Sequence, residues 1–148
     1  MFPTKKEFDS FLAEKSYFLS IHIRFAKNIS KYFQLGKMNS FTKDVSAFAI
    51  VTEENYNLSA KIGSSIKNQD YKSIDIGISA AYFTAEATSL GLSTCIIGWF
   101  DEEKLQKFLK TKSRIRLVIA IGYAKDDNLR EKKRKSSDAI YKIVSEDK

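Results

Sequence analysis

SIDIGISAAYFTAEATSLGLSTCIIGWF, residues 73–100, carries two patterns in succession. In the first part Ile74, Ile78, Ala81, Ala85 and Thr88 recur at helical spacing, and Ala80, Phe83, Ala87 and Leu90 fill the neighbouring stripe. An apolar surface this wide predicts a long helix buried on most of its sides. Gly77, Ser79, Ala80, Ala81, Ala85 and Ala87 are small, so another backbone can approach closely. Gly91 follows the last periodic residue, where a helix commonly stops in a left-handed conformation. Residues 94–100 then turn β-branched and aromatic, which predicts a strand, and Gly98 marks a bulge or a close backbone approach within it.

Upstream, Thr4-Lys5-Lys6-Glu7 is a capping box that opens a helix. Phe8, Phe11, Leu12, Lys15 and Phe18 form its stripe. Apolar residues then become denser through Leu19, Ile21, Ile23, Phe25 and Ile29 to Tyr32 and Phe33. The pattern fits one helix reaching Gln34, or two that break near Ser16 or Ser20, with Leu35-Gly36 as the stop. His22, the only histidine, lies in this segment without a second metal-ligating residue nearby, so a structural or surface role is expected. Residues 46–52 read as a short strand buried on both faces. Residues 53–69 read as a weaker helix.

Downstream, Asp101 is an N-cap followed by Glu102 and Glu103, and Leu105, Phe108 and Leu109 form the buried stripe of a short helix. Residues 115–121 are the strongest strand, ended by Gly122. A polar loop leads to the basic run Arg130, Lys132, Lys133, Arg134 and Lys135. Ile140, Lys142 and Val144 alternate weakly, as in an edge strand or an arm. Helices and strands therefore intermix around a central sheet, an α+β sandwich in one domain. Residues 1–44 form a helical lead-in, 45–124 the core and 125–148 a basic C-terminal arm.

An apolar fraction of 43% with one proline and six glycines in 148 residues describes a chain with a sizeable core. No apolar run approaches the ~20 residues of a membrane span. The first residues lack an apolar signal core, so a soluble cytoplasmic protein is expected. Cys95, the only cysteine, excludes an internal disulfide and reads as a buried, inert thiol. The formal charge of +7 is dispersed. With no zinc-finger spacing or RNA-binding aromatic motif, it reads as a solvated face rather than a nucleic-acid surface.

Asp75-x-Gly77, the alanine-rich helix after it, and Leu90-Gly91-Leu92-Ser93-Thr94-Cys95-Ile96-Ile97-Gly98 together resemble the second half of the flavin-dependent nitroreductase family. The similarity runs over about residues 45–144, through Gly122-Tyr123 to the basic run. It implies a nitroreductase-like α+β sandwich, a mostly antiparallel sheet flanked by helices, and a homodimer with flavin at the subunit boundary. It also implies FMN as cofactor, NAD(P)H as donor and a nitroaromatic or quinone-type acceptor. Backbone amides at Ile96, Ile97 and Gly98 would lie beside the isoalloxazine ring, and Lys133 and Arg134, with Lys132 as a substitute, would hold the phosphate. Gly91 and the small residues through Thr94 also suit a close ligand, although a helix stop accounts for Gly91 unaided. No catalytic side chain or metal is implied, because the cofactor carries the chemistry.

Two family features are missing from this sequence. Members begin with an Arg-Arg-Ser-like segment that clamps the phosphate and ribityl chain, and carry an asparagine before Gln-Pro-Trp against the flavin. Here the only proline is Pro3 and the only tryptophan is Trp99. Tyr82 and Glu86 stand on the central helix where amide and apolar residues are more usual. A family member shortened at its N-terminus and a truncated reading frame both fit. So do two functions: a reductase with a depleted flavin site, and a non-catalytic dimeric scaffold that has lost flavin and binds another ligand or partner.

Overall fold

The computed structural model describes residues 19–25, 28–34, 37–54, 68–126, 128 and 131–144, the first of these segments by its backbone. Strands β1 (Leu19–Phe25), β2 (Ala47–Glu53), β3 (Ser93–Ile97) and β4 (Ile115–Gly122) form one sheet in the order β1-β2-β4-β3. Every neighbouring pair is antiparallel. The central pair is made of β-branched and aromatic residues that satisfy both faces at once. On one face Phe48, Ile50, Val118 and Ala120 pack with Ile29, Phe33, Ile97 and Leu105. On the other, Ala49, Ile119 and Ile121 meet Ala80, Phe83, Ala87 and Leu92. β2 is thus buried on both faces, as its continuous apolar run predicts.

Helix α1 (Tyr71–Ser89) covers the second face. Asp70 caps it by accepting from the Ser73 main-chain N–H at 3.1 Å. Its buried stripe is Ile76, Ala80, Phe83 and Ala87, four positions at helical spacing. Alanines at two of them bring the helix close to Ala49 on the sheet. The helix ends in a Schellman motif: Gly91 N–H donates to the Thr88 carbonyl at 3.0 Å and Leu92 N–H to the Ala87 carbonyl at 2.9 Å. Gly91 has φ +73°, the left-handed stop read from the sequence. Helix α2 (Glu102–Leu109) lies on the opposite face and closes in the same way, with Lys110 at φ 55° in the position that favours glycine.

Five expectations are corrected. Residues 19–25 are a strand, not part of a helix. Leu19, Ile21, Ile23 and Phe25 alternate with Ser20, His22 and Arg24, a period of two that was hidden because positions 21 and 25 also fit helical spacing. The sheet therefore extends into the segment assigned to a helical lead-in; residues 4–18 lie outside the described residues, as do most of 53–69. The strand after Gly91 ends at Ile97, before Gly98, and the ladder irregularity falls instead at Val51 and Thr52. α1 is not buried on most sides: Ile74, Ile78 and Tyr82 are exposed, Tyr82 at 75%. Cys95 is exposed rather than buried, because β3 is an edge strand that the second layer covers only at Ile97. Residues 140–144 form no strand and are exposed.

One polar cluster joins the ends of β2, β4 and α1. Arg116 donates from Nη1 to the Glu53 carboxylate and from Nη2 to Ser73 Oγ at 2.7 Å. Lys72 Nζ lies 3.3 Å from the second Glu53 oxygen. Burial raises the Glu53 pKa, but the hydrogen bonds and charges of Arg116 and Lys72 outweigh it and hold the carboxyl below its usual range.

Two outcomes follow. Gly91→Ala meets no atom within 4 Å of its new Cβ, so its cost is conformational, about 1 kcal/mol, whereas Lys110→Gly gains a similar amount; calorimetric melting should move in opposite directions for the two. For Glu53 the lowered folded pKa means that its contribution is present above the unfolded value near 4.3 and is lost as pH falls through the folded value. Glu53→Gln should therefore lower stability at pH 7 by about 1 kcal/mol and lose less on acidification than wild type, read by denaturant melts at pH 7 and pH 3.

Candidate functional site

The residues implicated in cofactor binding sit at the free edge of the sheet. Among the described residues β3 has β4 as its one neighbour, with Ile96 opposite Ile119 and Ile97 opposite Val118. Alternation sends the two isoleucines to opposite faces. Ile97 is 3% exposed and belongs to the core, so main chain is what it offers a ligand. Ile96 is 51% exposed and presents an apolar side chain on the α1 side. Gly98 lies just past the last ladder pair and is exposed, and a Cβ built there meets nothing within 4 Å. Ile96 and Gly98 thus offer an apolar side chain and bare main chain next to each other. The turn at residues 91–94 is explained by the helix stop: Leu92 is buried and Ser93 already pairs with Gly122.

The chain leaving Gly98 is fixed from the side by residues 29–42. Ile29 and Phe33 are buried, and Phe33 stacks on Phe48 with ring centroids 4.4 Å apart. Thr42, fully buried, donates its hydroxyl to the Asn39 carbonyl at 2.7 Å and accepts from Gln34 Nε2 at 3.2 Å. Asn39, at φ 56°, donates from Nδ2 to the carbonyls of Phe33 and Trp99, both at 3.0 Å. The Asp101 N–H donates to the Tyr32 carbonyl at 3.0 Å. Asp101 then caps α2, accepting from the Lys104 N–H at 3.1 Å and pairing with Lys104 Nζ at 2.6 Å. Those hydrogen bonds from Lys104 hold the Asp101 carboxyl below its usual range and push the Lys104 ammonium up. In sequence, residues 37–44 fall in the lead-in, after the stop at Leu35-Gly36. Asn39 beside the 3-10 turn Ser40–Asp44 was the available signal, since asparagine tolerates left-handed backbone.

The second set of candidates, Lys132, Lys133 and Arg134, lies on the C-terminal arm, whose described residues are all exposed. Among the described residues no hydrogen bond or ion pair joins this arm to β3. The arm also exposes Ile140, Tyr141, Ile143 and Val144, the last two at 83%. Two open depressions among the described residues lie elsewhere. One of about 480 Å³ is lined by Glu103, Gln106, Lys107, Lys110, Thr111 and Lys112, and one of about 220 Å³ by residues around Glu53 and Lys72. Among the described residues no three His, Cys, Asp or Glu side chains gather as metal ligands, and no helix is long and apolar enough to cross a membrane.

Comparison with known proteins places this arrangement. A family model described as "Putative TM nitroreductase" matches residues 27–148. Comparison with curated proteins gives no match. Among solved structures, a nitroreductase-like protein from Streptococcus mutans is similar with a TM-score of 0.80 at 13% identity, over 97% of this chain and 89% of that one. An FMN-dependent nitroreductase from Clostridium difficile gives 0.61 at 19% identity, over 93% and 83%. A "putative NAD(P)H:FMN oxidoreductase" from Staphylococcus epidermidis gives 0.69 at 16% identity, over 95% and 86%. At such identities the likeness speaks for the fold. The chain spans between 57% and 90% of the lengths of such neighbours. The family match over most of the chain, on an α+β sandwich with the edge-strand geometry above, establishes that this chain belongs to the nitroreductase family.

Proposed function

We propose that the chain is an FMN-dependent NAD(P)H oxidoreductase that reduces small nitroaromatic or quinone-type acceptors, and that it works in the cytoplasm as a homodimer. The observation that carries this reading is the open end of β3, where Ile96 offers an apolar side chain and Gly98 unshielded main chain. A flat heteroaromatic ring suits that surface: the isoleucine packs on its face, and main-chain N–H groups reach its edge. The cationic run supplies what a phosphate needs, a planar fork from Arg134 and a point charge from Lys133. FMN, when bound, takes up a hydride from the nicotinamide and delivers it to the acceptor. In this reading Ile96 and the main chain at Gly98 orient the ring, and Lys133 and Arg134 neutralise the phosphate. The names of the flavin-dependent neighbours support the cofactor, and one of them supports the donor.

The dimer reading rests on two exposed apolar surfaces of the single chain. One is the outer stripe of α1, with Ile74, Ile78 and Tyr82; the other is the arm, with Ile140, Tyr141, Ile143 and Val144. Contiguous apolar surface of this kind is unusual on a soluble monomer and marks an interface. Pairing through α1 would also complete a site that the single chain leaves shallow. The alternative, a scaffold without flavin, draws on the separation of the basic arm from β3 within one chain.

Purified protein should keep flavin absorbance after FMN is added and the excess removed. The double substitution Lys133→Ala, Arg134→Ala should weaken retention at least tenfold, as expected for loss of charge-assisted phosphate contacts. A colourless wild-type protein would favour the scaffold reading. Sedimentation should give twice the chain mass, and Ile78→Asp should give monomers that lose FMN as well, because a charge would be buried at the two-fold contact.

A further inference from the structure

We propose that Asn39 is the positioning residue of the flavin turn: its carboxamide fixes the peptide that follows Trp99, and through it the main chain at Gly98 on which the ring rests. The inference rests on the flavin reading of β3 and goes further, by assigning a role to a residue outside the strand, the arm and the family motif.

β3 loses its ladder after Ile97, and the next residue is a glycine with no side chain to hold it. Such a segment has wide freedom in its dihedral angles. A flavin ring that depends on main-chain N–H groups needs them held to within a fraction of an ångström. Two hydrogen bonds supply that restraint, and both come from the same loop. The Asp101 N–H donates to the Tyr32 carbonyl at 3.0 Å, which fixes the far end of the turn. The nearer tie is Asn39 Nδ2 to the Trp99 carbonyl, also at 3.0 Å.

Asn39 is built for this task. Both hydrogens of its amide are used, one on Trp99 and the other on the Phe33 carbonyl at 3.0 Å, so the side chain is anchored to a residue with 0% exposure before it reaches the turn. Its main-chain carbonyl accepts both the N–H and the hydroxyl of buried Thr42, at 3.0 and 2.7 Å. Its φ of 56° turns the chain so that the side chain can span the gap. A β-branched residue would be strained there and could not donate twice. Trp99 itself is 64% exposed beside the proposed ring site, and it is the only tryptophan, so its fluorescence reports on this turn alone.

The test compares wild type with Asn39→Gly, which keeps the left-handed backbone accessible and removes only the carboxamide. Titration with FMN is followed by quenching of Trp99 emission and by the visible flavin bands, with melting temperature measured on the same samples. Asn39→Gly should bind FMN about fivefold more weakly, with an altered flavin band shape and less complete quenching. The Trp99 and Phe100 amides should exchange faster in the FMN-free variant. A purely structural role would lower the melting temperature and leave band shape and quenching unchanged, which overturns the proposal. Wild-type affinity in Asn39→Gly also overturns it, without touching the flavin reading. If wild type itself fails to bind FMN, the flavin reading fails and this role falls with it, whatever the amides do.

Discussion

Everything in this molecule is built against the antiparallel pairing of β2 with β4. These two strands are buried on both faces and supply the residues from which both halves of the core are assembled. The pairing sets the sheet's order: β1 and β3 become the edges, one on each side. It also sets the two layers. α1 with its alanines lies on one face; α2 and the loop carrying Ile29 and Phe33 lie on the other. The candidate site is a consequence of that order. An edge strand keeps an open flank, and a glycine, Gly98, follows the last ladder pair of β3.

The same constraint explains why the site is shallow within one chain. A sheet with both faces covered has few places for a ligand other than its margins. The margin at β3 provides an apolar side chain and bare backbone, but no walls. The apolar stripe of α1 and the exposed arm would supply walls if two copies met. In the proposed dimer, the contact that encloses the flavin would also take Ile78, Tyr82, Ile143 and Val144 out of water.

The fold was legible where a residue type has one physical use. Gly91 ends a helix because glycine adopts φ +73° at no steric cost. Asp101 caps the next helix, and the run at residues 115–121 is too β-branched to be anything but a strand. Legibility failed where two patterns overlap. Residues 19–25 satisfy a helical stripe at two positions and a strand alternation at all of them, and the preceding capping box tipped the reading to helix. Burial failed for a different reason. The sequence marks Ile74 and Ile78 as apolar, and it cannot say whether their cover comes from the same chain or another copy. Cys95 was read as buried because its neighbours are apolar, yet an edge strand exposes residues that a central strand would hide. Of the candidate site, residues 96–98 were proposed from their resemblance to the family, while Asn39 gave only its tolerance of left-handed backbone as a hint.

A crystal structure of the protein grown with FMN tests the central claim most directly. The account predicts the isoalloxazine ring against Ile96 and the main chain at Gly98, with the phosphate within hydrogen-bonding reach of Lys133 or Arg134 from either copy, at a two-fold contact formed by α1. A flavin bound away from β3, or a saturated crystal whose β3 margin holds no flavin, would contradict it.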